Sequence, residues 1–269
     1  MGSQHGTKTP AGFQKWNRKP VSIKRGTAAL GPAPGNAAAP ILLVGHRGHR
    51  LQRLGYPRTE PENTLAAFRR AHGTGAGGLE LDLRPSQDGK LVVHHNAWVR
   101  TKAGRWAIAR TSWAELRRHQ PGLTTLPAVL RRFGARCWLD LELKAPGGEA
   151  AILLALRRDP PRQGCVVSSF DPAVLRRLQH LDRRLPLCWN VAATGALRWP
   201  RLRLSCVAAH ERRVTVALLR ACGRRRLPLL AWTVNRPARM RQLAALGVAG
   251  ILSDHPALLV KVLGAAAGR

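Results

Sequence analysis

Leu79-Glu80-Leu81-Asp82-Leu83 reads as a β-strand in which apolar and acidic residues alternate. Side chains two apart on a strand share a face, so Glu80 and Asp82 point one way and the leucines the other. Glu142-Leu143-Lys144, downstream of the apolar Cys137-Trp138-Leu139, repeats the device with a second pair of ionisable groups. Buried carboxylates are costly unless they are paired or bound to metal. The chain has 14 Asp and Glu against 45 Lys and Arg, so solubility gives no reason to put three acids on strands. The simplest account is a cation site that handles phosphate.

Outward from these couplets, short apolar runs alternate with Arg-studded amphipathic stretches. Strands are expected at 41–44, 79–83, 91–94, 138–143, 165–168, 187–190, 204–208, 229–234 and 249–252, the run at 204–208 being the weakest. Helical spacing marks 63–72, 112–119, 126–133, 150–157, 214–222, 237–246 and 256–263. Asp171-Pro172 opens a further helix with a cap and a first-turn proline, and Gly247 ends the helix before it. Repeated strand–helix units of this spacing predict an α/β fold, a closed (β/α)₈ TIM-type barrel. No Gly-x-Gly-x-x-Gly follows the first strand, which weakens a dinucleotide-binding alternative. Too few residues separate Asp82 from Leu91 for a parallel crossover, and Gln87-Asp88-Gly89 is turn chemistry. An antiparallel hairpin is expected there, bringing His94 or His95 close to Glu80.

A length of 269 residues and an apolar fraction of 45% suit one large globular domain with a real core. The formal charge of +31 draws anionic partners: phosphate esters, an anionic membrane surface or other polyanions. Residues 1–40 carry six Lys/Arg and no acid, and 27–40 is rich in Ala, Gly and Pro. They are expected to form a basic, disordered tail ahead of a barrel domain at 41–269. No segment approaches the roughly 20 apolar residues of a transmembrane helix. Cys137, Cys165, Cys188, Cys206 and Cys222 are odd in number and lack Cys-x-x-Cys spacing, which implies free thiols, a reducing compartment and a cytoplasmic location.

In a barrel the chemistry gathers at the C-terminal ends of the strands. The first four ends carry His46-Arg47, Glu80 and Asp82, His95, and Glu142 and Lys144. Later ends offer Ser168, Asn190, Trp232 to Asn235 and Asp254. The stretches Gly45-His46-Arg47-Gly48, Pro61-Glu62-Asn63-Thr64, Leu79-Glu80-Leu81-Asp82, Val92-Val93-His94-His95 and Leu141-Glu142-Leu143-Lys144 resemble the signatures of the glycerophosphodiester phosphodiesterase family. So do Ala231-Trp232-Thr233-Val234-Asn235 and Gly250-Ile251-Leu252-Ser253-Asp254-His255-Pro256, and the resemblance runs over roughly residues 41–262.

The resemblance implies hydrolysis of glycerophosphodiesters to glycerol 3-phosphate and an alcohol. Glu80, Asp82 and Glu142 would hold a divalent cation, Ca²⁺ or Mg²⁺, and three hard oxygen ligands without a thiolate suit those ions. His46 and His95 would be the acid/base pair, in an order left open. Arg47 and Lys144 would hold the phosphate, with Asn63 and Trp232 as further substrate contacts. Asn63 and Glu62 also fit as caps of the first helix, Trp232 as a core aromatic or a wall for the substrate alcohol, and Asp254 and His255 as loop and cap. His94 alternates away from His95 and reads as packing. His49, Arg50 and Arg53 form a basic loop that either widens the phosphate field or is simply solvated. Asn96 stands where the family usually has Asp, so His95 lacks a charged partner and a slower enzyme is expected. A relative acting on lysophospholipids, and a basic polyanion-binding barrel with weak catalysis, are the alternatives.

Overall fold

The computed structural model describes residues 41–49 and 61–264; the basic tail at 1–40 and the loop arginines Arg50 and Arg53 lie outside the described residues. The first half of the chain runs β1 (Leu42–His46), α1 (Leu65–Gly73), β2 (Gly78–Pro85), β3 (Leu91–Val93), β4 (Trp98–Thr101), β5 (Gly104–Ala107), α2 (Trp113–His119), β6 (Thr124–Thr125), α3 (Leu126–Phe133) and β7 (Trp138–Leu143). The second half runs α4 (Glu149–Arg158), β8 (Cys165–Ser169), α5 (Pro172–Leu181), β9 (Leu187–Val191), β10 (Cys206–His210), α6 (Val216–Arg224), β11 (Leu229–Trp232), α7 (Pro237–Ala245), β12 (Gly250–Ser253) and α8 (Pro256–Leu263).

Eight parallel strands close into a barrel in the order β1-β2-β7-β8-β9-β10-β11-β12, with β12 returning to β1. Strand alternation decides what faces its axis. Leu79, Leu81 and Leu83 of β2, and Leu139, Leu141 and Leu143 of β7, join the apolar layer between barrel and helices. Their alternates point inward in register: Gly78 beside Trp138, Glu80 beside Asp140, Asp82 beside Glu142. A Cβ at Gly78 would lie 3.2 Å from the Trp138 ring and 3.1 Å from Val44, so the bare glycine makes room for the indole. Trp138, Val44, Val166, Cys188, Cys206 and Leu230 pack the axis beneath the acids. Rows of like layers are how such a barrel fills its interior.

β2 outlasts the barrel. Its last residues, Leu83–Pro85, pair antiparallel with β3, and Gly89 takes φ +74° in the turn between them. This is the expected hairpin, and it continues into β6. The separate β4–β5 hairpin was not expected; it covers a small core of Val92, Val99, Ile108, Leu116 and Leu123. β10 begins two residues later than the apolar run suggests, because pairing with β9 places Cys206 opposite Cys188 and carries the strand to His210. Thr64 caps α1 by accepting from the Ala67 amide, so neither Glu62 nor Asn63 is the cap. All five cysteines are free and buried.

Candidate active site

At the C-terminal mouth of the barrel a cavity of about 180 Å³ is lined by His46, Arg47, Glu80, His95, Glu142, Lys144 and Trp232 among others. One oxygen each from Glu80, Asp82 and Glu142 lie within 4.8 Å of one another, and all three residues are buried. The convergence follows from the register. Glu80 and Asp82 share the inner face of β2, and Glu142 sits beside Asp82 on β7.

Two cations and an amide are folded against these acids. Arg47 gives its backbone N–H to Glu80 Oε2 at 2.8 Å, places Nε 3.1 Å from Asp82 Oδ2 and donates from Nη1 to Glu62 at 3.2 Å. Lys144 Nζ lies 2.8 Å from Glu142 Oε1 and 3.3 Å from Asp82 Oδ1. Asn63 donates from Nδ2 to Asp82 Oδ2 at 2.8 Å and accepts the Asp82 amide at 3.2 Å. Only 3% exposed, Asn63 spends its amide on Asp82 rather than on the cavity. Arg47 (φ +55°) and Asn63 (φ +60°) both sit in the left-handed region, joined by a 3.0 Å bond from Asn63 N to Arg47 O. Non-glycine residues rarely take this conformation, and such strain collects at functional sites.

The electrostatics leave the acids undercompensated. Burial, then repulsion from Asp82, Glu142 and Asp140, pushes the Glu80 carboxyl well above its ordinary range. Burial and Asp82 likewise raise Glu142, against Lys144. Burial also acts upward on Asp82, but Arg47, Lys144 and the Asn63 amide outweigh it and hold that carboxyl low. Glu80 Oε1 is buried with no hydrogen-bond partner. Three carboxylates converging in a small space, with one Glu80 oxygen left unbonded, are donors that Ca²⁺ or Mg²⁺ would satisfy.

Both histidines line the same cavity. His46 Nδ1 lies 2.8 Å from Asp254 Oδ1, and its Nε2 is 3.8 Å from Glu80 Oε2. A carboxylate can only accept, so Nδ1 carries the proton and Nε2 is left for chemistry. Asp254 is itself held by Asn235, whose Nδ2 donates at 2.8 Å and whose Oδ1 accepts from the Asp254 amide at 3.0 Å. Asp254 lies in the loop between β12 and α8 with His255 at the cap position, as expected, and from that loop it also holds His46. His95 Nδ1 lies 3.1 Å from Asn96 Oδ1, a neutral acceptor. Burial lowers the His95 pKa, and Arg47 and Lys144 add to this against Asp82. His94 turns away and bonds the Asn96 carbonyl through Nδ1 at 2.9 Å.

Trp232 forms an aromatic wall with Phe170 and His210, at centroid distances of 5.3 and 5.1 Å. Asp140 was missed from sequence. It lines the cavity one register step below Glu142, accepts from Ser168 Oγ at 2.5 Å, and burial raises its pKa to about 7. Its position two before Glu142 was the available signal, since that parity places it on the same inner face.

Comparison with known proteins gives a consistent answer. The model of the glycerophosphoryl diester phosphodiesterase family matches residues 46–258. A glycerophosphodiester phosphodiesterase of Caldanaerobacter subterraneus subsp. tengcongensis is 28% identical over 82% of this chain and 97% of its own. Among solved structures, a glycerophosphodiester phosphodiesterase of Thermotoga maritima superposes with a TM-score of 0.71 at 25% identity, covering 84% of this chain and 100% of its own. An Oleispira antarctica phosphodiesterase in complex with the product sn-glycerol-3-phosphate superposes with a TM-score of 0.69 at 24% identity, covering 82% and 96%.

Proposed function

Because the chain belongs to the glycerophosphoryl diester phosphodiesterase family, we propose that it hydrolyses glycerophosphodiesters to glycerol 3-phosphate and an alcohol. One observation carries the reading: the ligand oxygens of Glu80, Asp82 and Glu142 converge within 4.8 Å at a cavity that also holds two histidines, Arg47 and Lys144. The activity named for the Caldanaerobacter relative, and the product held by the Oleispira one, support it.

Glu80, Asp82 and Glu142 would hold the divalent cation, Ca²⁺ or Mg²⁺. When bound it would offset the mutual repulsion of the carboxylates and polarise the phosphoryl oxygens. Arg47, fixed on Glu62 and Asp82, offers its remaining guanidinium edge to the phosphate, and Lys144 adds a point charge. Asn63 acts through Asp82, whose carboxylate it aims. Trp232 and Phe170 supply an apolar wall for the carbon part of the ester. His46 and His95 divide the proton traffic: one takes the proton of the nucleophile, the other gives one to the departing oxygen. The nucleophile is water or the substrate's own glycerol hydroxyl. Each such proton transfer is typically worth ~10²–10⁴ in rate.

The five unpaired cysteines support a reducing, cytoplasmic setting. Among the described residues, no helix is long and apolar enough to cross a membrane. The charge of +31 supports salt-sensitive contact with polyanions or an anionic membrane surface alongside catalysis.

The deciding assay incubates the protein with glycerophosphocholine and measures glycerol 3-phosphate with Ca²⁺, with Mg²⁺ and with a chelator. Turnover that depends on the divalent ion is expected. No turnover with any divalent ion would leave only the basic, polyanion-binding barrel.

A further inference from the structure

A second cavity, of about 110 Å³, adjoins the first, and Glu62, Thr64, His94, His95, Asn96 and Gln120 line it with others. His95 lines both cavities. Arg47 lines the first and grips Glu62 of the second at 3.2 Å. One imidazole and one ion pair therefore separate the two spaces.

A diester phosphate held at Arg47 and Lys144 carries two organic arms, and the two cavities offer them different surroundings. The larger is built from the barrel interior, with buried Ala208, Leu252 and Asn190. The smaller lies at the rim, where Asn96 and Gly122 are exposed. On the phosphodiesterase reading, the glycerol arm is common to every substrate and the alcohol arm varies. A common part suits a fixed interior, and a variable part suits a rim made by loops.

We propose that the smaller cavity is the subsite for the leaving alcohol, and that its chemistry selects a short polyol such as a second glycerol over a trimethylammonium headgroup. The inference rests on the phosphodiesterase reading above. Its walls present a carboxylate, a hydroxyl, two imidazoles and three amides; Glu62, Thr64 and Asn63 are bonded within the protein, and the second ring nitrogens of His94 and His95 with the amides of Asn96 and Gln120 are the groups that donate or accept toward a ligand. A hydroxyl can answer either kind. A trimethylammonium group answers none and leaves them unpaired, which is how polar sites reject a ligand lacking their partner groups. The pull of Glu62 on a cation is already reduced by Arg47.

The test compares kcat/KM for glycerophosphoglycerol and glycerophosphocholine at saturating divalent cation, in the unmodified enzyme and in Gln120→Leu and Gln120→Glu. A preference of roughly tenfold for the polyol ester is expected in the unmodified enzyme. Gln120→Leu lowers that ratio about fivefold by removing one polar wall group. Gln120→Glu shifts it toward the choline ester by adding a charge. Either variant alone suffices if the other does not fold, as judged by circular dichroism. A ratio at or below one in the unmodified enzyme, or one unmoved by the folded variants, overturns the subsite while leaving the phosphodiesterase reading intact. Failure to cleave any diester overturns both.

Discussion

Replacing Asn63 with glycine separates two roles for that residue, contact with substrate or aim of a metal ligand. The side chain makes two bonds, from Nδ2 to Asp82 Oδ2 at 2.8 Å and from the Asp82 amide to Oδ1 at 3.2 Å. The first goes to a charged acceptor and is worth about 1.5–3 kcal/mol, and the second leaves a buried amide unpaired at about 1–3 kcal/mol. Glycine takes φ +60° without strain, so backbone conformation does not confuse the result. The added freedom of the unfolded chain costs about another 0.4–1 kcal/mol. With water reclaiming part of the lost bonding, a net loss of about 3 kcal/mol is expected in urea unfolding without added cation. Calorimetric titration with Ca²⁺ should show affinity reduced roughly 10–100-fold, as for other groups that orient a ligand. At saturating Ca²⁺ the KM for glycerophosphocholine should stay within about threefold, since Asn63 does not line the larger cavity and, at the wall of the smaller one, its side-chain amide is already bound to Asp82. Unchanged Ca²⁺ affinity together with a raised KM would refute the ligand-aiming role and make Asn63 a substrate contact.

Three further outcomes follow from the same geometry. Asp254→Asn removes the anionic acceptor of His46 Nδ1, and kcat should fall by roughly 10²–10⁴ with the folded signal intact; near-normal turnover would separate His46 from proton transfer. Asn96→Asp should raise turnover and move the His95 limb of the pH–rate profile to higher pH, because a carboxylate would oppose the burial and the cations that now lower that ring; a fall in rate counts against the slower-enzyme reading. Glu149 accepts from Arg177 Nε and the Gly147 amide, each at 2.7 Å, and despite burial these hold its carboxyl below the ordinary value. A lowered folded pKa means stability present above the unfolded value and lost as pH falls through the folded one. Glu149→Gln should therefore be less stable than the parent at pH 7, with the gap narrowing under acid; a gap independent of pH would remove the charge from the explanation.

Much of the fold was legible because the barrel strands obey simple alternation. β7 and α3 fall where the pattern puts them, and the short link after Asp82 left an antiparallel hairpin as the economical solution. What escaped notice had physical reasons. Among the described residues β4 and β5 pair only with each other, and they are half exposed, so neither the buried apolar run nor a clean alternation marks them. β10 lies within an apolar run whose start is set by its neighbour's register, not by its own residues. The acids of β2 and β7 announced themselves by spacing. Asp254 did not, because Ser253-Asp254-His255-Pro256 is also what a helix entrance looks like, and its partner His46 is 208 positions away in sequence. Asn63 was visible as a residue of interest but not as a partner of Asp82, since left-handed backbone at an asparagine leaves no mark in a sequence.

Trp138, set against the bare backbone of Gly78, gives the barrel a floor. Among the described residues the axis beneath the acids is packed, and the cavity lies at the mouth above it. Solvent, ions and ester are therefore met at the rim rather than from below. On the subsite proposed above, the alcohol half lies nearer the rim and is expected to depart before the phosphorylated half seated among the charges.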